Sequence, residues 1–239
     1  MKYINLTFPT PQHNLACDEA LIHWCEERRQ DEILRFWEPL QYFAVLGHSG
    51  KTQVEVDLSS CRANRVPVLR RCSGGGTVLQ GPGCLNYSLI LRMRDRTPLQ
   101  GVAEANRYIM RRLKSSLEPI MDSEIEIHGI SDLAIGMRKF SGNAQYRRRY
   151  FLLFHGTFLL HFDIPFLERL LPVPARQPAY RQNRSHSNFL TNLNLPSSRV
   201  KEALKESWGA TEEFKNIPYE TIDRLARERY SRDEWNSKF

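Results

Sequence analysis

Arg70-Arg71-Cys72-Ser73-Gly74-Gly75-Gly76-Thr77 places two arginines just ahead of three adjacent glycines. Glycine has no Cβ and takes positive φ freely, so backbone N–H groups can converge there and a ligand can lie against the main chain. Such a loop suits an anion, and arginines beside it add bidentate donors for a carboxylate or phosphate. A flexible hairpin connection is the competing reading, because the spacing matches neither a Walker loop nor GxGxxG. Gly83-Cys84-Leu85-Asn86-Tyr87-Ser88 follows closely. Alone, Asn86 reads as a turn or edge residue; in a hairpin with the glycine loop it faces the same place.

A second segment is Ser131-Asp132-Leu133-Ala134, a turn, and then Arg138-Lys139-Phe140-Ser141-Gly142-Asn143-Ala144-Gln145. If Arg138 to Ser141 is a strand, its alternation puts Lys139 and Ser141 on one face and Arg138 and Phe140 on the other. A lysine followed by small and amide side chains fits a cation held against a ligand wall, with Gly142 permitting close backbone approach; an exposed strand lysine is the alternative. Asp132 is readable as the counter-charge of Lys139, as a Mg²⁺ ligand, or as a strand-end acid. In a third segment, Phe151 to Leu160, the polar run His155-Gly156-Thr157 interrupts an apolar stretch. Buried polar groups need partners, so His155 is either a core histidine bonded to backbone or a site histidine, in a wall suited to an alkyl chain.

These segments need a scaffold, and the hydrophobic periodicity outlines one. Asn14 is expected to cap a first helix, with Cys17, Ala20, Leu21, Trp24 and Cys25 at helical spacing and an end near Arg29. Short apolar runs at Ile33 to Trp37, Tyr42 to Leu46, Val66 to Leu69 and Leu85 to Leu91 read as strands. A second helix covers Val102 to Leu117. Strands return at Ile125 to His128, Asp132 to Ile135, Arg138 to Ser141 and Tyr150 to Leu160, with Gly136 at a tight turn. Prolines 172, 174 and 178 make Leu171 to Tyr180 a loop, and helices resume at Ser198 to Trp208 and Tyr219 to Tyr230. Runs of strands separated by helices favour mixed α+β, with largely antiparallel sheets flanked by helices.

Bulk properties set outer limits. At 239 residues and 41% hydrophobic content the chain can bury a sizeable core. No run approaches the roughly 20 apolar residues of a membrane span, and the first residues lack the order of a signal peptide, so a cytoplasmic protein that does not act on membranes is expected. Five cysteines without a CxxC pair suit free thiols. The formal charge of +7 could serve nucleic acid, but the basic residues are scattered among 27 acidic ones rather than gathered in a tract, and an acidic protein partner or an anionic small ligand explains it equally well; no nucleic-acid partner is expected.

Taken together and in order, RRCSGGGTVLQGPGCLNYS, SDLAIGMRKFSGNAQ and FHGTFLL resemble the lipoate–protein ligase A family, within the biotin/lipoate ligase (class II synthetase-like) catalytic fold. LACDEA, ILRFWEP, VLG at Val45 to Gly47 and YSRDEW match more faintly. The resemblance implies a ligase that moves a lipoyl group, through lipoyl-AMP, onto a lysine of an acceptor protein, with ATP and Mg²⁺ as cofactors and lipoate as substrate. Acceptors would be lipoyl domains of 2-oxoacid dehydrogenase acyltransferase subunits or the glycine cleavage H protein. It implies that Arg71, Ser73, Gly74, Gly75, Gly76, Thr77 and Asn86 contact the lipoyl tail and adenylate, together with Ser141, Gly142, Ala144, His155, Gly156 and Thr157. Lys139 would be catalytic, touching both the acyl carbonyl and the phosphate, and Asp132 would be the Mg²⁺ candidate.

Departures matter too. The family often has two histidines where this chain has Phe154-His155, and an aromatic with His-Asp where it has Leu79-Gln80-Gly81. Residues 1–239 are expected to form one catalytic domain, with 172–239 supplying the proline-rich loop and helices, and no separate accessory domain. A separate accessory protein would then assist adenylate formation, leaving activation of free lipoate weaker than transfer. Octanoyl- or lipoyl-amidotransferases of the same fold are the alternative, as is a non-catalytic binding protein; the amidotransferases use a cysteine shortly before the lysine strand or late in the chain, where this sequence has Gly129-Ile130-Ser131 and no cysteine after Cys84.

Overall fold

The computed structural model describes residues 1–94 and 97–239. Strand β1 (Lys2–Asn5) leads into helix α1 (Pro11–Arg28), β2 (Ile33–Trp37), β3 (Phe43–Leu46), the short helices α2 (Thr52–Glu55) and α3 (Leu58–Ala63), and β4 (Val68–Arg70). Next come β5 (Val78–Gln80), β6 (Cys84–Arg92), α4 (Val102–Leu117), β7 (Glu126–His128), β8 (Asp132–Ile135), β9 (Arg138–Arg147) and β10 (Phe151–Leu159). After these lie α5 (Ile164–Leu170), α6 (His186–Phe189), α7 (Ser197–Trp208), β11 (Glu212–Glu213), α8 (Tyr219–Leu225) and α9 (Asp233–Asn236). The class is the α+β expected from the sequence.

Eight strands form one sheet in the order β11-β1-β2-β6-β10-β9-β8-β7, and β4-β3-β5 form a second. In the large sheet β1 is parallel to β2 and β11, and the other pairings are antiparallel; in the small one β3 is parallel to β4 and antiparallel to β5. Alternation along the strands gives the large sheet two faces. Leu152, Phe154 and Phe158 of β10 pack under α4 and α7 with Leu85, Leu89, Leu113 and Leu204. On the other face Phe151 and Leu153 pack against α1 with Ile33, Ile90 and Leu21, while Leu159 and Cys84 join a third core with Ala44 and Leu79 of the small sheet. Between those last two cores the same face is polar. Among the described residues, no helix is long and apolar enough to cross a membrane.

Helix α1 starts earlier than its apolar spacing suggests. Thr10 is the cap, accepting from the His13 N–H at 3.3 Å, and Pro11 fills the first turn, where its missing N–H costs nothing. Asn14 lies inside the helix, buried, with its amide bonded to Phe8 and Arg35. Strand β9 runs ten residues, beyond the apolar part that marks it in the sequence, because its far half is only partly buried. Gly136, at φ 54°, makes the β8–β9 turn as expected. Strands β1 and β5, of four and three residues, are too short to show a period, and α8 is prolonged by a π-helical turn over Ala226–Tyr230.

Candidate active site

Two adjacent cross-strand rows form the polar belt. Arg35, Ser88, His155 and Ala144 are successive partners on β2, β6, β10 and β9; one step along, Trp37, Asn86, Thr157, Gly142 and Asp132 repeat the arrangement as far as β8. Cross-strand partners share a face, so register alone gathers residues that lie far apart in the chain. The glycine loop, between β4 and β5 of the small sheet, covers this belt. Gly75, at φ 94°, comes close enough that a Cβ there would lie 3.7 Å from Ala144 Cβ.

Lys139 reaches the belt through an irregularity. Leu133 is opposite Ser141, yet Ala134 is opposite Lys139, so β9 carries one extra residue at this point. The bulge lets Phe140 and Ser141 both face the α4 core, while Lys139 joins Asp132 and Gly142 on the other face. Ser141 is 1% exposed and its hydroxyl has no protein partner; the strict alternation that paired it with Lys139 fails here, and its side chain is turned away. Lys139 Nζ sits 2.8 Å from Asp132 Oδ1, with the lysine side chain 24% exposed and so reachable. Tyr180, from the proline-rich loop, donates to Asp132 Oδ2 at 2.8 Å; burial and the neighbouring carboxylate push the Tyr180 pKa up, keeping it a donor.

The two arginines ahead of the glycine loop turn inward. Arg71 bonds Ser73 Oγ and the carbonyls of Val45, Gly74 and Gly76, bracing the loop rather than offering a free fork to a ligand. Burial lowers its pKa to about 10, still far above neutrality. Arg70 is fully buried and bonds the carbonyls of Gly47, His48, Gly50, Trp235 and Asn236, tying α9 to the segment beneath the loop. Gly74, Gly75 and Gly76 remain exposed, and Thr77 donates to Glu55 at 2.7 Å.

Beneath the loop runs a buried chain that sequence reading missed. Arg35 Nη1 donates to Asp18 Oδ1 at 2.6 Å, His155 Nδ1 is 3.2 Å from Asp18 Oδ2, and His155 Nε2 is 2.6 Å from Ser73 Oγ. Burial by itself would raise the Asp18 pKa, but the Arg35 guanidinium and His155 outweigh it and hold the carboxyl below its ordinary range. An ionised Asp18 only accepts, so Nδ1 carries the proton and, in the neutral ring, Nε2 accepts from the Ser73 hydroxyl. Ser73 in turn accepts from Arg71 Nε at 3.0 Å.

The lipoyl protein ligase A/B catalytic domain matches residues 10–207. This chain belongs to that family. Among relatives, it is 27% identical to a protein of Mycoplasma pneumoniae described as a probable lipoate-protein ligase A, covering 99% of this chain and 71% of the relative. It is equally 27% identical to the octanoyltransferase LipM of Halalkalibacterium halodurans, covering 95% and 94%. Among solved structures, a bipartite lipoate protein ligase from Thermoplasma acidophilum shares the fold with a TM-score of 0.83 at 24% identity, over 99% of this chain and 95% of the other.

For a family member of this kind, the geometry places Lys139, Gly142, Ala144, His155, Thr157 and Asn86 together on the belt beneath Ser73 and the exposed glycines. Gly156 shares their strand but lies on the alternate position. Asp132, the Mg²⁺ candidate, accepts from Lys139 with one oxygen and from Tyr180 with the other; among the described residues no group of three or more His, Cys, Asp or Glu could hold a metal ion. Gly142 has a geometric reason to be glycine, since a Cβ would lie 2.6 Å from Lys139 Nζ and 2.7 Å from its Cε. Gly142→Ala is therefore expected to push Lys139 off Asp132 and cut acyl transfer by about ten-fold or more, with the melting temperature little changed. Unchanged transfer by this variant would show that the lysine's path over Gly142 is dispensable.

Proposed function

We propose that this chain transfers a lipoyl group from lipoyl-AMP to a lysine of a lipoyl-domain protein, as a lipoate–protein ligase that also forms the adenylate from lipoate and ATP. The observation that carries the reading is Lys139, a cation within reach of a ligand, held over Gly142 among the polar rows. Its ammonium has three N–H groups, and Asp132 takes one. The remaining two suit the acyl carbonyl oxygen and a phosphate oxygen of a mixed anhydride. In the reaction the neutral amine nitrogen of the acceptor attacks the acyl carbon, the C–N bond forms, the C–O bond to phosphate breaks, AMP leaves with the electron pair, and the proton lost from nitrogen passes to solvent water. Negative charge grows first on the carbonyl oxygen and then on the leaving phosphate, and a fixed cation between them stabilises both. The partner of the Thermoplasma acidophilum ligase, an E2 lipoyl domain, supports an acceptor of that type here.

The octanoyltransferase relatives give the competing chemistry, transfer through an acyl-enzyme. The state of the thiols supports the adenylate route instead. All five cysteines are buried, and burial raises the pKa of each, to about 12 for Cys17 and Cys84. The thiolate is the nucleophile, and at neutral pH these thiols supply almost none. A variant lacking all five cysteines, checked for folding, is expected to keep transfer from lipoyl-AMP, and the wild-type enzyme to show no thioester by mass. A single cysteine whose loss abolishes transfer, and which carries an acyl group in wild type, would place the protein among the amidotransferases.

A further inference from the structure

Gln80, Asn86 and Thr157 close a ring of three hydrogen bonds. Asn86 Nδ2 donates to Gln80 Oε1 at 2.9 Å, Gln80 Nε2 donates to Thr157 Oγ1 at 2.6 Å, and Thr157 Oγ1 donates to Asn86 Oδ1 at 2.6 Å. Each member donates once and accepts once, all in the same sense. Turning over Asn86 alone would set its Oδ1 against Gln80 Oε1, and turning over Gln80 alone would set its Nε2 against Asn86 Nδ2, so neither amide turns without the other. Such closed networks are stiff where water is excluded, and Gln80 and Asn86 are only 5% and 4% exposed. Each amide nitrogen has a second N–H that the ring does not use.

The ring stands beside the reacting groups. Thr157 is the cross-strand partner of both Asn86 and Gly142, and Lys139 lies over Gly142, so the ring is about one strand spacing, ~5 Å, from the lysine's path. Gln80 comes from the small sheet across the belt. We infer that Gln80 is a positioning residue: by closing the ring from the opposite sheet it holds the uncommitted amide N–H of Asn86 in one orientation beside the acyl carbonyl that Lys139 meets. This rests on the reading of acyl transfer given above.

Gln80→Glu keeps the size and one acceptor but cannot donate, so Thr157 donates to it instead and Asn86 Oδ1 loses its partner. Gln80→Met keeps the size and removes both bonds. Thr157→Val removes the hydroxyl, and Thr157→Ser restores it. Single-turnover transfer from lipoyl-AMP is expected to fall by about ten-fold or more in Gln80→Glu, Gln80→Met and Thr157→Val, with the dissociation constant for lipoyl-AMP changed by much less. Thr157→Ser, which keeps the hydroxyl, should recover most of the rate that Thr157→Val loses. Gln80→Met combined with Thr157→Val should be no slower than either alone, since a ring broken once is broken. Additive losses, or losses seen only in binding or melting temperature, would overturn the inference. So would wild-type rates in Gln80→Glu. Failure of wild-type enzyme itself to bind or use lipoyl-AMP would instead defeat the reading on which the inference rests.

Discussion

Lys139→Ala is expected to lower the rate of acyl transfer from lipoyl-AMP by roughly 100- to 1,000-fold, the about 2.7–4 kcal/mol typical of losing one preorganised group that stabilises an oxyanion. The preorganisation is visible in the fold. A β-bulge swings the lysine to the belt face, Gly142 lets it lie flat, and Asp132 holds its Nζ at 2.8 Å. The loss should fall on the chemical step, because the side chain is partly exposed and its removal leaves the α4 core intact. Lys139→Arg keeps the charge but not the compact three-donor head, and should recover only part of the rate. The measurement is single-turnover transfer with melting temperature as a control. A variant that keeps more than about half of the wild-type rate would remove Lys139 from the mechanism.

The second large effect concerns stability. Arg35 is fully buried and pairs with a nearly buried Asp18, so Asp18→Asn leaves a guanidinium without its counter-charge. Breaking one partner of such a pair costs about 3–5 kcal/mol, and that loss should appear in urea unfolding at pH 7. The pH dependence follows from the lowered Asp18 pKa. In the unfolded chain an aspartate titrates near about 3.9, and in the folded protein lower, so the unfolded state takes up the proton first as pH falls. The stability contributed by ionised Asp18 is present above about pH 4 and is lost as pH drops through the folded value. The gap between wild type and Asp18→Asn should therefore narrow in acid; a gap that stays constant would show that charge is not its origin. Because Asp18 also holds His155 against Ser73, the same variant should loosen the glycine loop and weaken acyl-adenylate binding.

What was legible in the sequence follows from where the chemistry sits. The glycine loop, the RKFSGNAQ strand and the HGT run stand out because small or polar residues interrupt apolar patterns, and such interruptions need no partner to be noticed. Asp18 and Arg35 do not stand out. One lies on a helix buried around most of its first half and the other on a strand buried on both faces, and only the fold shows that residues 137 positions apart, Asp18 and His155, meet. Arginines 70 and 71 look from sequence like ligand donors, but their bonds go to carbonyls of the loop and of α9. Ser141 is misplaced by a rule of strict alternation, which a single extra residue in β9 defeats. Gln80 belongs to a strand of three residues, too short for periodicity to detect, and its partners come from two other strands.

The proposal of transfer from an adenylate without a covalent acyl-enzyme rests on a braced glycine loop, an oriented histidine, the reachable Lys139 and five buried thiols. Purified chain mixed with synthetic lipoyl-AMP and a lipoyl domain, quenched within one turnover and analysed by intact mass, tests this directly. The expected result is one lipoyl group on the acceptor lysine, at a rate that depends on Lys139, while the mass of the chain itself stays unchanged throughout. An acyl group accumulating on the chain before the acceptor is modified, or no transfer from lipoyl-AMP under conditions where a thioester donor works, would contradict it.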